Sequence, residues 1–300
     1  MNLKYGIILS AGFGSRMNGL SDFIPKPLLP LYDSTLLDLQ ISILKKMGIK
    51  EIFINTHHKA DLIQEHIKEK YDKSVICIHE QDLLGSGGGI TNIVKQYSSQ
   101  DNTDDYVYIV NSDAFTNISN SQLESIFSKL QNVDKLLLAI PNNKIEYNQF
   151  VIENNLLKQV IAPVKNKEYF TYSGSGFFKI SSIRKSSLYS NFFESVADYA
   201  NEKVGVFRLD PNQHFDYGTF ELYVDNILNI SKYKELNLFM SEHTTNHRKF
   251  EIFPKVFDFS GNMIINRDLI SEEEIIILKS DILPKSFDKK GVYYLDHCFS

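Results

Sequence analysis

Short apolar runs alternate with amphipathic stretches through the first half of the chain. Tyr5 to Leu9 reads as a buried strand, and Leu36, Leu37, Ile41, Leu44 and Met47 recur at helical spacing until Gly48 can end the helix. Ile49 to Thr56 is strand-like again, Leu62, Ile63, His66 and Ile67 mark a second helix, and Ser74 to Glu80 predicts a third strand. The rhythm continues with a helix through Ile90, Ile93, Val94 and Tyr97 and a strand from Tyr106 to Asn111. A helical stripe of Leu123, Ile126, Phe127 and Leu130 then precedes a strand from Lys135 to Ile140. Strand, helix, strand repetition predicts an α/β architecture: a mixed, mainly parallel sheet with helices on both faces, since each crossover lays a helix over the sheet.

The pattern changes after Pro141. Phe150 to Glu153, Asn154-Asn155 and Leu156 to Ile161 predict a hairpin, and Gly176 to Ile180 predicts another strand. Helical spacing returns from Phe192 to Tyr199 and again after Thr219, on either side of a strand-like Lys203 to Leu209. From about Leu236 the rhythm fails, leaving apolar pieces such as Glu274 to Leu278 and Val292 to Leu295, a turn signal at Ser260-Gly261-Asn262 and no internal repeat. Two domains are expected, residues 1–235 and a small C-terminal β appendage or interaction surface over 236–300.

Composition narrows the function classes. A hydrophobic content of 43% over 300 residues supports a full core. Lys and Arg are scattered and the formal net charge is -5, so there is no electrostatic footprint for nucleic acid or an anionic membrane. Any phosphate ligand must be held by local groups. Cys77 and Cys298 are too few for a disulfide framework or a cysteine zinc site, which predicts a reducing compartment. No stretch approaches the roughly 20 apolar residues of a membrane span, and the expectation is a soluble, cytoplasmic protein.

The candidate chemistry begins after the first strand, in Leu9-Ser10-Ala11-Gly12-Phe13-Gly14-Ser15-Arg16-Met17, followed by Pro25-Lys26-Pro27. Glycines there let backbone N–H groups approach phosphates, and Arg16 and Lys26 add positive charge. Met17 stands where a dinucleotide fold would need a third glycine, and no Gly-Lys-Ser/Thr follows, so neither common phosphate-loop pattern is satisfied. His57-His58 point apart on a strand end and read as solvated side chains, not a metal site. Phe192-Phe193 and Tyr169-Phe170 read as core or a ligand-stacking surface and not as a nucleic-acid platform.

Together these pieces resemble the sugar-1-phosphate nucleotidyltransferase family, whose signature is a glycine-rich loop with Arg and then a Pro-Lys-Pro element. Leu84-Gly85-Ser86-Gly87-Gly88-Gly89 is similar to the family's second glycine loop, along the nucleoside, and Val110-Asn111-Ser112-Asp113 to its Asn-Gly-Asp strand end. Tyr172-Ser173-Gly174 is similar to its sugar-contacting turn, and Phe215-Asp216-Tyr217-Gly218-Thr219 to its late Asp-x-Gly-Thr motif. The five motifs occur in family order across residues 3–230. GSGGGI and TYSGSG resemble N-acetylmuramate-1-phosphate uridylyltransferases most, with mannose- and heptose-1-phosphate guanylyltransferases next.

The resemblance implies a Rossmann-like nucleotide-binding layer and a Mg2+-dependent transfer of a nucleoside monophosphate from a nucleoside triphosphate, UTP favoured and GTP second, to a sugar 1-phosphate. Pyrophosphate and a nucleotide sugar for cell-wall or surface-glycan synthesis or recycling would result. Arg16, Lys26, Asp113 and Asp216 are the implied catalytic residues, with Asp113 and Asp216 on the metal. Ala11, Gly12, Gly14, Ser15, Glu80, Gly85, Ser86, Gly87 and Asn111 would bind the nucleotide, Glu80 where relatives place a base-reading side chain. Gln149, Ser173, Gly174 and Thr219 would bind the sugar. Lys26 would bridge the sugar phosphate and α-phosphate, and Arg16 would grip the departing pyrophosphate. The attacking phosphate oxygen is already ionised, so no general base is required. Ser112 departs from the family's glycine, and Ala162 to Lys167 replaces its Glu-Lys-Pro, leaving Lys165 a weak candidate. A glycosyltransferase would not need a pyrophosphate-gripping loop, and a non-catalytic nucleotide-sugar sensor would not need Lys26, Asp113 and Asp216 together. Residues 236–300 lie beyond every matched motif and are expected to be dispensable for the chemistry.

Overall fold

The computed structural model describes residues 3–97, 104–143, 146–165, 167–183, 189–229, 234–243, 251–253, 256–259, 274–279, 289–294 and 297–300. The early strands are β1 (Leu3–Leu9), β2 (Pro30–Leu31), β3 (Ser34–Thr35), β4 (Glu51–Thr56), β5 (Val75–His79), β6 (Tyr106–Asn111), β7 (Ala114–Thr116) and β8 (Lys135–Asn142). They are followed by β9 (Gln149–Glu153), β10 (Leu156–Ile161), β11 (Tyr169–Lys179), β12 (Val204–Arg208) and β13 (His214–Asp216). The last strands are β14 (Glu251–Phe253), β15 (Val256–Asp258), β16 (Ile275–Lys279), β17 (Gly291–Tyr294) and β18 (His297–Phe299). Helices are α1 (Leu36–Lys46), α2 (Ala60–Lys70), α3 (Gly85–Tyr97), α4 (Asn120–Lys129), α5 (Ile180–Ile183), α6 (Phe220–Leu228) and α7 (Lys234–His243). They form two compact units, one of residues 1–12 and 44–215 and one of residues 13–43 and 216–300.

The first unit is built on a nine-stranded sheet of order β5-β4-β1-β6-β11-β8-β12-β10-β9. Pairing is parallel across β5-β4-β1-β6 and between β8 and β12, and antiparallel elsewhere. β11 also meets β9 at Phe170 and Phe150, so β11, β8, β12, β10 and β9 close a circuit. The sheet is therefore mixed, and the expected parallel order holds for the strands up to Asn111. The long β11 reverses direction against both β6 and β8, and the β9–β10 hairpin adds a further antiparallel pair.

Period-2 alternation places helices on both faces. Tyr5 and Ile7 of β1 and Val107 and Ile109 of β6 share one core with Ile90, Ile93 and Val94 of α3. Gly6 faces the other way, where a Cβ would collide with Leu44 of α1. On that same opposite parity Tyr108 stacks on Phe177 at 4.5 Å, and Phe177 meets Phe127 of α4 edge-on at 6.3 Å. The hairpin turns through Asn154 and Asn155 with φ of 53° and 60°, left-handed geometry that asparagine accepts more readily than most residues.

Two expectations fail locally. Phe192 to Tyr199 contains only a 3-10 turn, Phe192–Glu194. The rings of Phe192 and Phe193 turn instead onto Tyr172, at 5.1 and 5.8 Å, and Ser195 Oγ donates to Asn191 O (2.8 Å), a local bond that competes with helical pairing. The strand expected from Gly176 begins at Tyr169, and Ile180 opens α5.

In the second unit, β14-β15-β16-β17-β18 form a five-stranded sheet, parallel from β15 to β17, with Ile275 to Leu278, Val292 and Tyr293 buried. The tail pieces read from sequence at 274–278 and 292–294 are thus sheet strands, while Ser260-Gly261-Asn262 and Leu295 lie outside the described residues. Helix α7 occupies the stretch where the rhythm was read as failing; Leu236, Phe239 and Met240 form its buried stripe. No helix among the described residues is long and apolar enough to cross a membrane.

Candidate active site

In the second unit, three of the four candidate catalytic residues converge on one turn. Asp216 ends β13, and its Oδ1 accepts the N–H of Gly218 (2.6 Å). Lys26, only 8% exposed, reaches across 192 residues of sequence to donate from Nζ to Gly218 O (2.6 Å). Arg16 accepts Phe220 N–H through its carbonyl (2.9 Å), and its Nη2 lies 3.6 Å from where a Cβ on Gly218 would sit. Glycine is therefore needed at 218 by its neighbours, since a Cβ would also lie 2.6 Å from Asp216 Oδ1. Thr219, read as a sugar ligand, caps α6 by accepting Leu222 N–H (3.3 Å).

The loop that carries Arg16 is a run of tight turns. Gly14 has φ +67°, and its carbonyl accepts Met17 N–H (2.9 Å) and Ser21 Oγ–H (3.0 Å). A Cβ at Gly14 would collide with Ser21 Oγ. Ser15 and Arg16 are exposed, whereas Met17 and Leu20 are wholly buried. Before this loop, in the first unit, Ala11 is buried, and apart from its two sequence neighbours none of the described residues has an atom within 4 Å of the Cβ position of Gly12. That space is the kind a close-approaching ligand requires.

The first unit carries the remaining candidates. β6 ends at Asn111, level with Leu9, and Ser112 N–H donates to Leu9 O (3.2 Å). Ser112 has no positive φ, so the backbone accepts a side chain where the family has glycine, and the side chain is buried. Asp113 follows, half-buried, in the turn to β7. A register shift in β11 between Tyr172 and Gly176 carries the turn read as sugar-contacting. There Gly174 has φ +81° and packs on Asn111, whose Nδ2 lies 2.7 Å from the position of a Cβ. Ser173 and Ser175 share a buried hydroxyl bond of 2.9 Å. Gln149 opens β9, half-buried opposite Ile161.

Glu80 is engaged by the chain itself. Its Oε1 accepts Asn55 Nδ2–H (2.8 Å) and its Oε2 accepts Leu84 N–H (3.2 Å), while Asn55 Oδ1 accepts Ser10 N–H (2.8 Å). His57 Nδ1 lies 2.9 Å from Glu80 O, so His57 is tied into the same group and not simply solvated. The network links the approach to the first glycine loop with the second. Asn55 was missed in the sequence, although a wholly polar side chain inside the apolar run of β4, here 3% exposed, is an available signal.

The second glycine loop is the first turns of α3. Each glycine costs about 1 kcal/mol relative to alanine in a helix interior, and close packing accounts for three of them. A Cβ on Gly85 would lie 2.8 Å from Ser190 O, one on Gly87 would strike Ser195 Oγ, and one on Gly89 would strike Glu80 Oε1. Gly87 and Gly88 N–H groups donate to Ser190 O (3.1 and 3.2 Å), so they are held by the chain. Ser86 is exposed beside them.

Asp113 and Asp216 offer hard carboxylate oxygens, and among the described residues no group of three or more His, Cys, Asp or Glu forms a metal cage. Each carboxylate, one in either unit, is the kind of ligand that suits Mg2+, which takes one or two carboxylates and completes its shell with phosphate oxygens and water.

Residues 5–150, just under half of the chain, match the family model described as Nucleotidyl transferase. Its relatives are sugar-1-phosphate guanylyl- and uridylyltransferases. The chain is 33% identical over 125 residues to the D-glycero-alpha-D-manno-heptose 1-phosphate guanylyltransferase of Campylobacter jejuni, covering 41% of this chain and 54% of that protein. It is 30% identical over 92 residues to the N-acetylmuramate alpha-1-phosphate uridylyltransferase of Caulobacter vibrioides, covering 29% of this chain and 38% of that protein. The chain thus spans about half the length, or less, of these curated relatives. HddC from Yersinia pseudotuberculosis, solved with GMP-PN, shares the fold at 19% identity and a TM-score of 0.63, over 79% of this chain and all of that one. The inositol-1-phosphate CTP transferase of T. maritima does so at 13% identity and the same TM-score, over 81% of this chain and 99% of that one.

Proposed function

We propose that the protein is a sugar-1-phosphate nucleotidyltransferase, with its chemistry in residues 1–235. The observation that carries this reading is the convergence of Arg16, Lys26 and Asp216 on Gly218. Two cations and a carboxylate on one glycine turn suit a polyanionic substrate better than an apolar or neutral one.

In this reading an oxygen of the sugar 1-phosphate attacks the α-phosphorus of the triphosphate, the bond to the bridging oxygen breaks, and pyrophosphate leaves. Lys26, fixed by Gly218 O, stands between the two phosphates and offsets their repulsion. Arg16, on the exposed side of its loop, holds the departing pyrophosphate. Gly12, open to solvent, admits phosphate close to the backbone, with Ala11, Gly14 and Ser15 shaping that approach. Asp113 and Asp216 would hold Mg2+, and when bound the ion supplies positive charge against the phosphate oxygens. Asn111 and the start of α3 at Gly85, Ser86 and Gly87 would border the nucleoside. Gln149, Ser173, Gly174 and Thr219 would border the sugar, Thr219 through its place at the start of α6.

UTP is the favoured triphosphate. Guanine presents two adjacent donors that suit a carboxylate, but Glu80 is 3% exposed and both its oxygens already accept a bond, from Asn55 and Leu84, which weighs against a guanine reader there. GTP is the second reading, favoured by the identity to the Campylobacter guanylyltransferase. The test is pyrophosphate release from each of four nucleoside triphosphates with a panel of sugar 1-phosphates. No release from any pair would refute the reaction class, and a kcat/KM for GTP tenfold above that for UTP, about 1.4 kcal/mol, would refute the uridylyl assignment.

A further inference from the structure

The strands β17 and β18 lie far beyond the last motif of the candidate site, yet within the second unit they pack on the loop that carries Arg16 and Lys26. The Phe23 ring lies 4.6 Å from His297, 5.7 Å from Phe299 and 6.0 Å from Tyr294. Phe299 and His297 also stack on one another at 6.3 Å. Phe299 Cε1 lies 3.8 Å from the Cβ position of Gly19. Asn18 has a left-handed φ of 49°, and its Nδ2 donates to Ser300 O (2.8 Å). The loop itself is a ladder of single turns, with Met17, Leu20, Asp22 and Phe23 N–H groups each bonded three residues back. Such turns are short, and isolated turns are not self-stabilising. Edge and stacked aromatic pairs supply what they lack.

We infer that the β17–β18 strands act as a brace for the Gly14–Lys26 loop, with Phe23, His297, Phe299 and Asn18 as positioning residues for Arg16 and Lys26. This reverses the expectation that residues 236–300 are dispensable for the chemistry. Its catalytic consequence rests on the function proposed above; the brace itself does not. Arg16 and Phe23 sit on opposite sides of the buried Met17 and Leu20 in sequence, so loosening one side of the ladder frees the other. Lys26 follows Phe23 by three residues, one further turn.

The experiment compares full-length Phe299→Ala, Phe23→Ala and Asn18→Ala with the parent by amide hydrogen exchange and by pyrophosphate-release kinetics. Amides 17–23 should exchange about tenfold faster in the two phenylalanine variants, while those of β6 are unchanged, because local opening and global unfolding are separable this way. kcat/KM should fall about tenfold with the substrates the parent uses, and Phe299→Tyr, which keeps the ring, should restore both. Exchange within twofold of the parent in both phenylalanine variants would overturn the brace. Faster exchange with unaltered kcat/KM would overturn its positioning role. If the parent releases no pyrophosphate from any triphosphate, the functional reading fails, and the exchange comparison still decides whether the brace exists. Should Phe299→Ala not fold, Phe299→Leu and Asn18→Ala decide by the same exchange criterion.

Discussion

Replacing Glu80 separates two roles for a carboxylate that sequence alone leaves merged. In the structure it is 3% exposed and accepts from Asn55 Nδ2 and Leu84 N. Hydrogen bonds to a charged acceptor contribute about 1.5–3 kcal/mol each, and a buried donor left without one incurs a comparable penalty. Glu80→Ala should therefore lower the unfolding free energy by about 3–5 kcal/mol, a large share of the 5–15 kcal/mol typical of a domain. Glu80→Gln keeps the shape and one acceptor but turns an amide NH2 toward one of the two donors, so about 1–3 kcal/mol is expected. Urea unfolding gives both values, and kinetics with GTP and UTP should show the two triphosphates affected alike, since Asn55 transmits the loss to Ser10. An unchanged urea midpoint in Glu80→Gln together with a collapsed preference between GTP and UTP would refute this reasoning and identify the carboxylate as the base reader.

Asp113→Asn and Asp216→Asn should each abolish magnesium-dependent pyrophosphate release with circular dichroism unchanged, because in the latter the introduced amide oxygen can still accept Gly218 N–H; near-normal turnover in either would remove that residue from the metal. Gly174→Ala forces a side chain into φ +81° with its Cβ 2.7 Å from Asn111 Nδ2, so a loss of roughly 1–3 kcal/mol and weaker triphosphate binding are expected, read by thermal unfolding and calorimetry. Burial pushes the Cys77 thiol up to about 11, and a raised pKa leaves less thiolate at pH 8. Cys77 should thus react with a disulfide reagent on the order of 100 times more slowly than a small-molecule thiol, and more slowly than the exposed Cys298, accelerating as pH rises toward 11; equal rates at the two cysteines would contradict the burial.

The parts of the fold that were legible in the sequence are those where one local signal acts alone. β6 was read with its observed limits, Tyr106 to Asn111, because an unbroken apolar run ends at a polar turn. The Asn154-Asn155 hairpin was legible because left-handed turns favour asparagine. Where two signals overlapped, the reading failed. Phe192, Phe193, Val196 and Tyr199 have helical spacing, but the two rings are drawn to Tyr172, Phe150 and Phe178 in the core and the chain follows them. The glycines at 85–89 read as a loop along the nucleoside, yet they stand in α3 because residues 190–195 and Glu80 press against it. At the candidate site, the order of motifs was legible, but the convergence of Lys26 and Asp216 on Gly218 was not. That contact spans 192 residues and depends on tertiary structure alone.

The second unit is made from two stretches of chain, 13–43 and 216–300, separated by roughly 170 residues that belong elsewhere. Gly218 and Phe220, which hold Lys26 and Arg16, both come from the later stretch. During synthesis at about 5–20 residues per second, the loop bearing those two cations is made roughly 10–40 s before the residues that anchor it exist. The strands of the parallel half, β1, β4, β5 and β6, are complete by Asn111 and can pair in that interval. The vectorial order of translation thus assembles the scaffold first and the loop of Arg16 and Lys26 last, so a nascent chain arrested before residue 216 carries that loop's sequence without the means to hold it in shape.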